Sequence, residues 1–272
     1  MLSMFLTRRP SLTSRRNPIV ARYRSVAQGD SPGLLLLDGV HLIADALAAG
    51  ITIEHAVAAA QAGGSDETAS LITKLSALGV DIALASTSVM DSVSPLRSSS
   101  AIVAIARRPE HDIHQLYDGG RPLVLIVSDV QDPGNVGAVV RVAEAAGATG
   151  VLAAGISADP FGWKALRGAM GSTLRLPVAR VDDTAAAMAN ARAHGCRVIA
   201  TAPRGGRSLF DVDLRPPVAI LIGGEGSGLP PAMIDAADER VTIPMLEPVE
   251  SLNTAVAAAI VLYEARRQRT ST

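Results

Sequence analysis

The chain has 272 residues with Lys+Arg 25 against Asp+Glu 26, a formal net charge of −1 that excludes a histone-like or polybasic protein but not a nucleic-acid partner, since binding depends on where charges sit. Hydrophobic residues at 48% exclude a disordered chain, and aromatics at 3% mean a core of Ala, Val, Leu and Ile. Cys196 is the only cysteine, which excludes a disulfide framework, a cysteine-ligated zinc site and an iron–sulfur cluster, and no run reaches the roughly 18 apolar residues of a membrane-spanning helix.

In chain order, the start is basic. Arg8, Arg9, Arg15, Arg16, Arg22 and Arg24 all precede the first acidic residue, Asp30. Such a start reads as an arm that contacts phosphates, as a transit peptide, or as a poorly ordered tail. A first α/β block follows. Residues 34–37 read as an apolar strand, 40–49 as a helix closed by Gly50, and 53–58 as a strand. Residues 68–78 carry helical spacing (Leu71, Leu75, Leu78) stopped by Gly79, and 81–86 and 101–106 are strands. The Ser/Pro-rich stretch 92–100 reads as a loop. Residues 107–122, with Pro109, Gly119, Gly120 and Pro122, lack periodicity and mark a domain boundary. His111 and His114 lie there as a His-x-x-His pair, but no further ligand cluster accompanies them, so a solvated linker is the favoured reading.

The second block opens with the continuous aliphatic run 123–127, suited to a buried parallel strand. A polar turn, 128–134, leads into a helix over 136–146 ended by Gly147. Strands at 151–154, 198–202, 218–222 and 241–243 alternate with helices at 164–171 and 185–194, the latter capped by Asp183 or Thr184. A helix over 252–268 closes the chain. This alternation predicts a parallel sheet with helices on both faces, whose ligands lie beyond the carboxyl ends of the strands.

Three segments just after strands carry the chemistry. In Asp132-Pro-Gly-Asn-Val-Gly-Ala-Val-Val-Arg141, Asn135 sits where turn becomes helix, able to cap backbone N–H groups or hold a ligand. Gly223-Gly-Glu-Gly-Ser-Gly-Leu229 lets the backbone approach a ligand and adopt positive φ. It lacks the Lys of a phosphate-binding Walker loop, and Glu225 suits a neutral or cationic ligand better than phosphate. In Ile243-Pro-Met-Leu-Glu-Pro-Val-Glu-Ser251-Leu-Asn253, Ser251 can cap the last helix. The apolar stripe Leu252, Val256, Ala259, Ile260 and Tyr263 then faces the core or a subunit interface. There is no Gly-x-Ser-x-Gly elbow, so a hydrolase is disfavoured.

Together, Asn-x-Gly-Ala-x-x-Arg, Gly-x-Glu-x-x-Gly-Leu and Ile-Pro-Met…Glu-Ser-Leu-Asn resemble the three signature motifs of the SpoU (TrmH-type) RNA 2′-O-ribose methyltransferases of the SPOUT superfamily. Lys164-Ala-Leu-Arg-Gly-Ala-Met-Gly171 with Leu176-Pro-Val looks like the family segment between the first two motifs. Ser14-Arg-Arg-Asn-Pro-Ile-Val and Leu37-Asp-Gly-Val-His-Leu-Ile look like the opening of the L30e-like substrate domain that precedes the catalytic domain in many bacterial members. A match starting near Ser14 leaves room for only a very short transit peptide. Two departures stand out: Leu246-Glu-Pro, and Ser99-Ser-Ala101 where many members carry Pro-Gln-Gly.

The resemblance implies a basic arm over 1–13, an L30e-like RNA-binding domain over 14–107, a linker over 108–121 and a trefoil-knotted α/β catalytic domain over 122–272. It implies S-adenosylmethionine as cofactor, held around Ala202, Pro203, Gly223, Gly224, Gly228, Ile243, Met245 and Leu252, and no metal. Arg141 is then expected to bind the target phosphate and stabilise the developing alkoxide, because a guanidinium with a pKa above about 12 is a poor base. Glu225, Ser251 and Asn253 complete the pocket, with Asn135 orienting Arg141 or the ribose. Arg8, Arg9, Arg15, Arg16, Lys164 and Arg167 are the expected RNA contacts, giving a salt dependence of roughly 0.7–0.9 in log–log slope per phosphate. A cytoplasmic homodimer acting on ribosomal RNA is expected, with transfer RNA, or a non-catalytic RNA-binding role, as alternatives. A nucleotide-dependent oxidoreductase on a Rossmann sheet is disfavoured, because the first βα turn of the second block lacks the glycine fingerprint. Antibiotic resistance through ribosomal RNA methylation is the same chemistry at a particular site.

Overall fold

The run at 123–127 becomes the middle of the larger of two sheets. The computed structural model describes residues 11–60, 66–226 and 228–270, so Arg8 and Arg9 lie outside the described residues. The chain forms two compact units. One gathers residues up to Pro109 with Phe161–Trp163, and the other Glu110–Pro160 with 164 onward.

In the first unit, strands β1 (Ser11–Leu12), β2 (Leu34–Asp38), β3 (Ile53–Ala59), β4 (Asp81–Ala85) and β5 (Ile102–Arg107) form a sheet in the order β1-β4-β3-β5-β2. The sheet is mixed rather than parallel: β5 runs antiparallel to both β2 and β3. A short buried apolar run carries no direction in its sequence, so the expected alternation could not reveal this. Helix α1 (Pro18–Gln28) was not anticipated. Asn17 caps it by accepting from the Ile19 N–H at 2.9 Å, Pro18 opens it, and Gly29 closes it at φ 86. Its Val20, Tyr23 and Val26 are buried. Helices α2 (Val40–Ala48) and α3 (Asp66–Ala77) fall as expected, whereas α4 (Thr87–Val93) occupies a Ser/Thr-rich stretch and takes in the first two residues of the expected loop.

The second unit holds seven strands, β6 (Leu123–Ser128), β7 (Gly150–Ala154), β8 (Val178–Val181), β9 (Arg197–Thr201), β10 (Arg207–Ser208), β11 (Val218–Gly223) and β12 (Glu239–Thr242). Their order is β10-β12-β9-β11-β6-β7-β8, and every pairing is parallel. All six residues of β6 are buried, the pattern of a strand covered on both faces. The covering helices are α5 (Pro133–Ala146), α6 (Trp163–Ala169), α7 (Thr184–Ala193), α8 (Pro231–Asp235) and α9 (Thr254–Thr270). Asp183 is the cap of α7, accepting from Ala185 and Ala186. In α9 the buried face is Thr254, Ala258, Val261, Leu262 and Ala265. The stripe expected to face the core or a subunit interface is turned outward in part, with Val256 48% and Tyr263 50% exposed.

The stretch expected as a solvated linker contains a 3-10 turn, Ile113–Tyr117. Its Leu116 and Tyr117 belong to the core of the second unit. Tyr117 stacks on His194 at 4.1 Å between ring centroids, and His114 Nδ1 lies 2.7 Å from His194 Nε2. Among the described residues no group of three or more His, Cys, Asp or Glu is placed to hold a metal ion. No described helix is long and apolar enough to cross a membrane.

Candidate active site

Parallel strands deliver their loops to one edge. Strands β9, β11 and β12 all end there, and the loops after them enclose a crevice of about 320 Å³, within the range of small-molecule sites. Thr201, Ala202 and Pro203 form one wall. Residues 222–226 with Gly228 and Leu229 form the second, and Ile243, Met245, Ser251 and Leu252 the third. All eight residues expected around a cofactor line it. Backbone bonds lock the walls together: the Ala202 N–H donates to the Val241 carbonyl at 2.8 Å. The Thr254 hydroxyl, at the start of α9, donates to the Gly223 carbonyl at 3.2 Å.

The glycines divide into two roles. A Cβ on Gly223 would overlap the backbone of Gly228 and Leu229, and one on Gly224 would overlap the Asp129 carbonyl oxygen. These two must be small because chain passes against chain. Gly226 (φ 85) and Gly228 (φ 63) have open space around them and need glycine for their left-handed backbone.

Three predicted residues meet at one polar cluster. Glu225 Oε1 accepts from Asn135 Nδ2 and, at 3.3 Å, from Asn253 Nδ2. Asn253 Nδ2 also reaches Asn135 Oδ1 at 3.1 Å. The caps differ from expectation. Asp132, not Asn135, caps α5, accepting from the Asn135 N–H at 2.9 Å. Asn253, not Ser251, caps α9, its Oδ1 accepting from Ala255 at 2.9 Å and Val256 at 3.3 Å. One amide thus works at both ends: Oδ1 fixes the helix start while Nδ2 holds Glu225. The Asn135 side chain is freed for Glu225 because the preceding Asp already satisfies the helix N-terminus. Ser251 instead lines the crevice.

Arg141 stands apart from this cluster. It is exposed on α5, about 9 Å further along the axis than Asn135 and about 120° around it. No hydrogen bond or ion pair involves it among the described residues, so Asn135 does not orient Arg141 here. Its guanidinium is free for an external anion. Arg167 is likewise exposed, and Lys164 lies exposed one turn earlier on α6. On the first unit, Arg15 and Arg16 are exposed, and Arg15 donates through Nε to the Ser88 carbonyl at 3.0 Å.

Against families of known proteins, residues 122–263 match the model of the SpoU rRNA methylase family. The chain belongs to the SpoU rRNA methylase family. An uncharacterized tRNA/rRNA methyltransferase of Synechocystis is 32% identical over 95% of this chain and 94% of its own length. The Bacillus subtilis 23S rRNA (guanosine(2553)-2′-O)-methyltransferase RlmP is 32% identical over 85% of this chain and 88% of its own. Among solved structures, the AdoMet-bound rRNA methyltransferase of Sinorhizobium meliloti superposes with a TM-score of 0.84 at 30% identity, covering 95% of this chain and 97% of that one. The SpoU resemblance read from three short motifs therefore extends across both units.

Proposed function

We propose that this chain is an S-adenosylmethionine-dependent methyltransferase acting on a ribose 2′-hydroxyl of ribosomal RNA. The observation that carries the reading is the closed set of three strand-end loops with Glu225, Asn135 and Asn253 hydrogen-bonded beside them. The cofactor suits the site: Ile222, Leu229, Ile243, Met245 and Leu252 offer apolar walls to an adenine, and the Glu225 carboxylate favours a cationic sulfonium. When bound, S-adenosylmethionine supplies an electrophilic methyl group, so no metal is needed.

The chain's own task is to hold the 2′-oxygen in line and ease its deprotonation. Glu225 is pinned by two amides and presents a fixed negative charge. Arg141 holds the phosphate next to the target ribose and stabilises the developing alkoxide. Ser251 and Asn253 complete the wall at the start of α9. Ribosomal RNA is favoured over transfer RNA by the names of RlmP and of the 23S rRNA methyltransferases that match most of this chain. Arg15, Arg16, Lys164 and Arg167 contact that RNA, and residues 14–107 form its substrate-binding domain. The half-exposed Val256 and Tyr263 face of α9 is the two-fold interface of a dimer, and residues 122–272 form a trefoil-knotted catalytic domain. The enzyme works in the cytoplasm, where its substrate is made.

The test is calorimetric titration with S-adenosylmethionine, followed by methyl transfer to total ribosomal RNA mapped for 2′-O-methyl groups. Saturable binding and one new modified nucleotide are expected. Absence of binding, or a methyl group on a base, overturns the reading.

A further inference from the structure

Met170 holds a backbone conformation that few residues of its kind adopt. Its φ is 50, and Asp129 is the only other non-glycine residue with positive φ among the described residues. Its side chain is 56% exposed although its neighbours are not: Ala169 and Thr173 are both 0% exposed, and Leu174 is 4%. An unbranched apolar side chain is thus held outward from a rigid base.

The base is rigid because α6 lies directly against α5. A Cβ on Gly137 would overlap the Ala165 carbonyl oxygen, and one on Gly168 would stand 3.1 Å from the Gly134 carbonyl oxygen. After α6 the chain continues along the same helix. Arg175 donates to Glu144 through Nε at 2.7 Å and through a terminal nitrogen at 2.9 Å. Segment 165–175 therefore travels along α5 from residues 134–137 to residue 144. Residue 141 lies between those contacts, on the face shared by 134, 137 and 138. Met170 lies between Ala169 and Arg175, on the stretch of that segment that runs past residue 141. Arg167 is exposed one turn before Met170.

We infer that Met170, with Arg141 and Arg167, forms the seat of the RNA nucleotide that presents its 2′-hydroxyl. The inference rests on the function proposed above. The two guanidinium groups meet phosphate, and the thioether packs on the face of the base. A nucleotide is the occupant that fits a strip joining two free cations to one polarisable apolar group: it joins an anion to a flat π-face within a single unit. The left-handed backbone aims the side chain outward at a position where a right-handed one would continue the helix.

The test uses the full-length protein and ribosomal RNA. Met170→Gly removes the side chain and suits the positive φ, so folding is not in question. The KM for RNA is expected to rise about three- to tenfold. Under the same conditions kcat and the S-adenosylmethionine Kd should stay within about twofold. Met170→Leu restores apolar volume and is expected to recover most of the loss. An unchanged KM in Met170→Gly overturns the inference. So does a KM rise that comes with a changed sedimentation coefficient, which assigns Met170 to contact with a second copy of the chain. If the unaltered protein binds S-adenosylmethionine but methylates no RNA, the functional reading fails first and takes the inference with it.

Discussion

Two polar clusters, one in each unit, are built in opposite ways. In the second unit the cluster stands at the strand-end edge of a parallel sheet, where Glu225, Asn135 and Asn253 bond to one another, with Arg141 free further along α5. In the first unit the cluster is buried: Tyr23 is 0% exposed, and its hydroxyl lies 2.9 Å from Nδ1 of His55, itself 7% exposed. A free cation at an edge costs the fold little and is available to a ligand. A buried pair contributes to stability and is closed to ligands. Mutations in the two places should therefore separate chemistry from folding.

The largest effect is expected from Arg141→Ala. Methyl transfer should fall about 100-fold or more, as when a preorganised donor to a developing oxyanion is lost. Cofactor binding should be retained and the melting temperature should not move, because the side chain has no hydrogen bond to lose. A large fall in stability would show that Arg141 is structural and would erase the contrast between the units. Gly224→Ala comes next. Its new methyl would overlap the Asp129 carbonyl, so the second wall of the crevice must shift. Cofactor affinity should weaken about tenfold by calorimetry, with roughly 1–3 kcal/mol lost from stability for the forced displacement. Normal affinity in this variant would mean the wall does not touch the cofactor.

These expectations rest on how far the site was legible. The three motifs were readable because each sits at a strand end, and parallel topology brings such ends to one edge whatever the details. The finer roles were not. Residues 251 and 253 are both small and polar ahead of a helix, and only backbone angles decide which one caps it. The same holds for Asp132 and Asn135. The glycines at 223 and 224 line the crevice and answer also to chain packing, a contact between residues distant in sequence. Helix α1 did leave a signal, Asn17-Pro18 ahead of apolar residues at 19, 20, 23 and 26 and a closing Gly29, which the six arginines of that region masked. The reversed direction of β5 left none.

In the first unit, Tyr23→Phe should lower stability by about 1–3 kcal/mol in denaturant titration, because the His55 nitrogen loses its partner in a buried setting. Cofactor affinity should be unchanged. A variant that instead weakens cofactor binding would show that the units are not energetically separate.

The smallest effect is a pH dependence that belongs to the first unit. Burial is the main cause pushing the His55 pKa below its usual 6.5; the nearby Asp81 carboxylate opposes the shift, and Arg22 adds to it. Asp81 does not rescue a charged ring, since its Oδ2 is 4.0 Å from Nε2 and its side chain is 82% exposed. Nε2 is buried without a hydrogen-bond partner, and a charged ring, protonated on both nitrogens, would hold a proton in that dry, unpaired position. The unfolded chain accordingly takes up that proton at a higher pH than the folded one does. Stability from neutral His55 is complete above about pH 6.5 and drains away as the pH falls from there through the lowered folded-state pKa. Melting temperatures between pH 7.5 and 5.5 should therefore decline in the unaltered protein and decline less steeply in His55→Gln, whatever the absolute stability of that variant. Parallel slopes in the two proteins would move the titrating group elsewhere. Carboxylates such as Glu144, held low chiefly by the Arg175 hydrogen bonds, lose their contribution only below their usual range, so they cannot mimic a slope confined to this window.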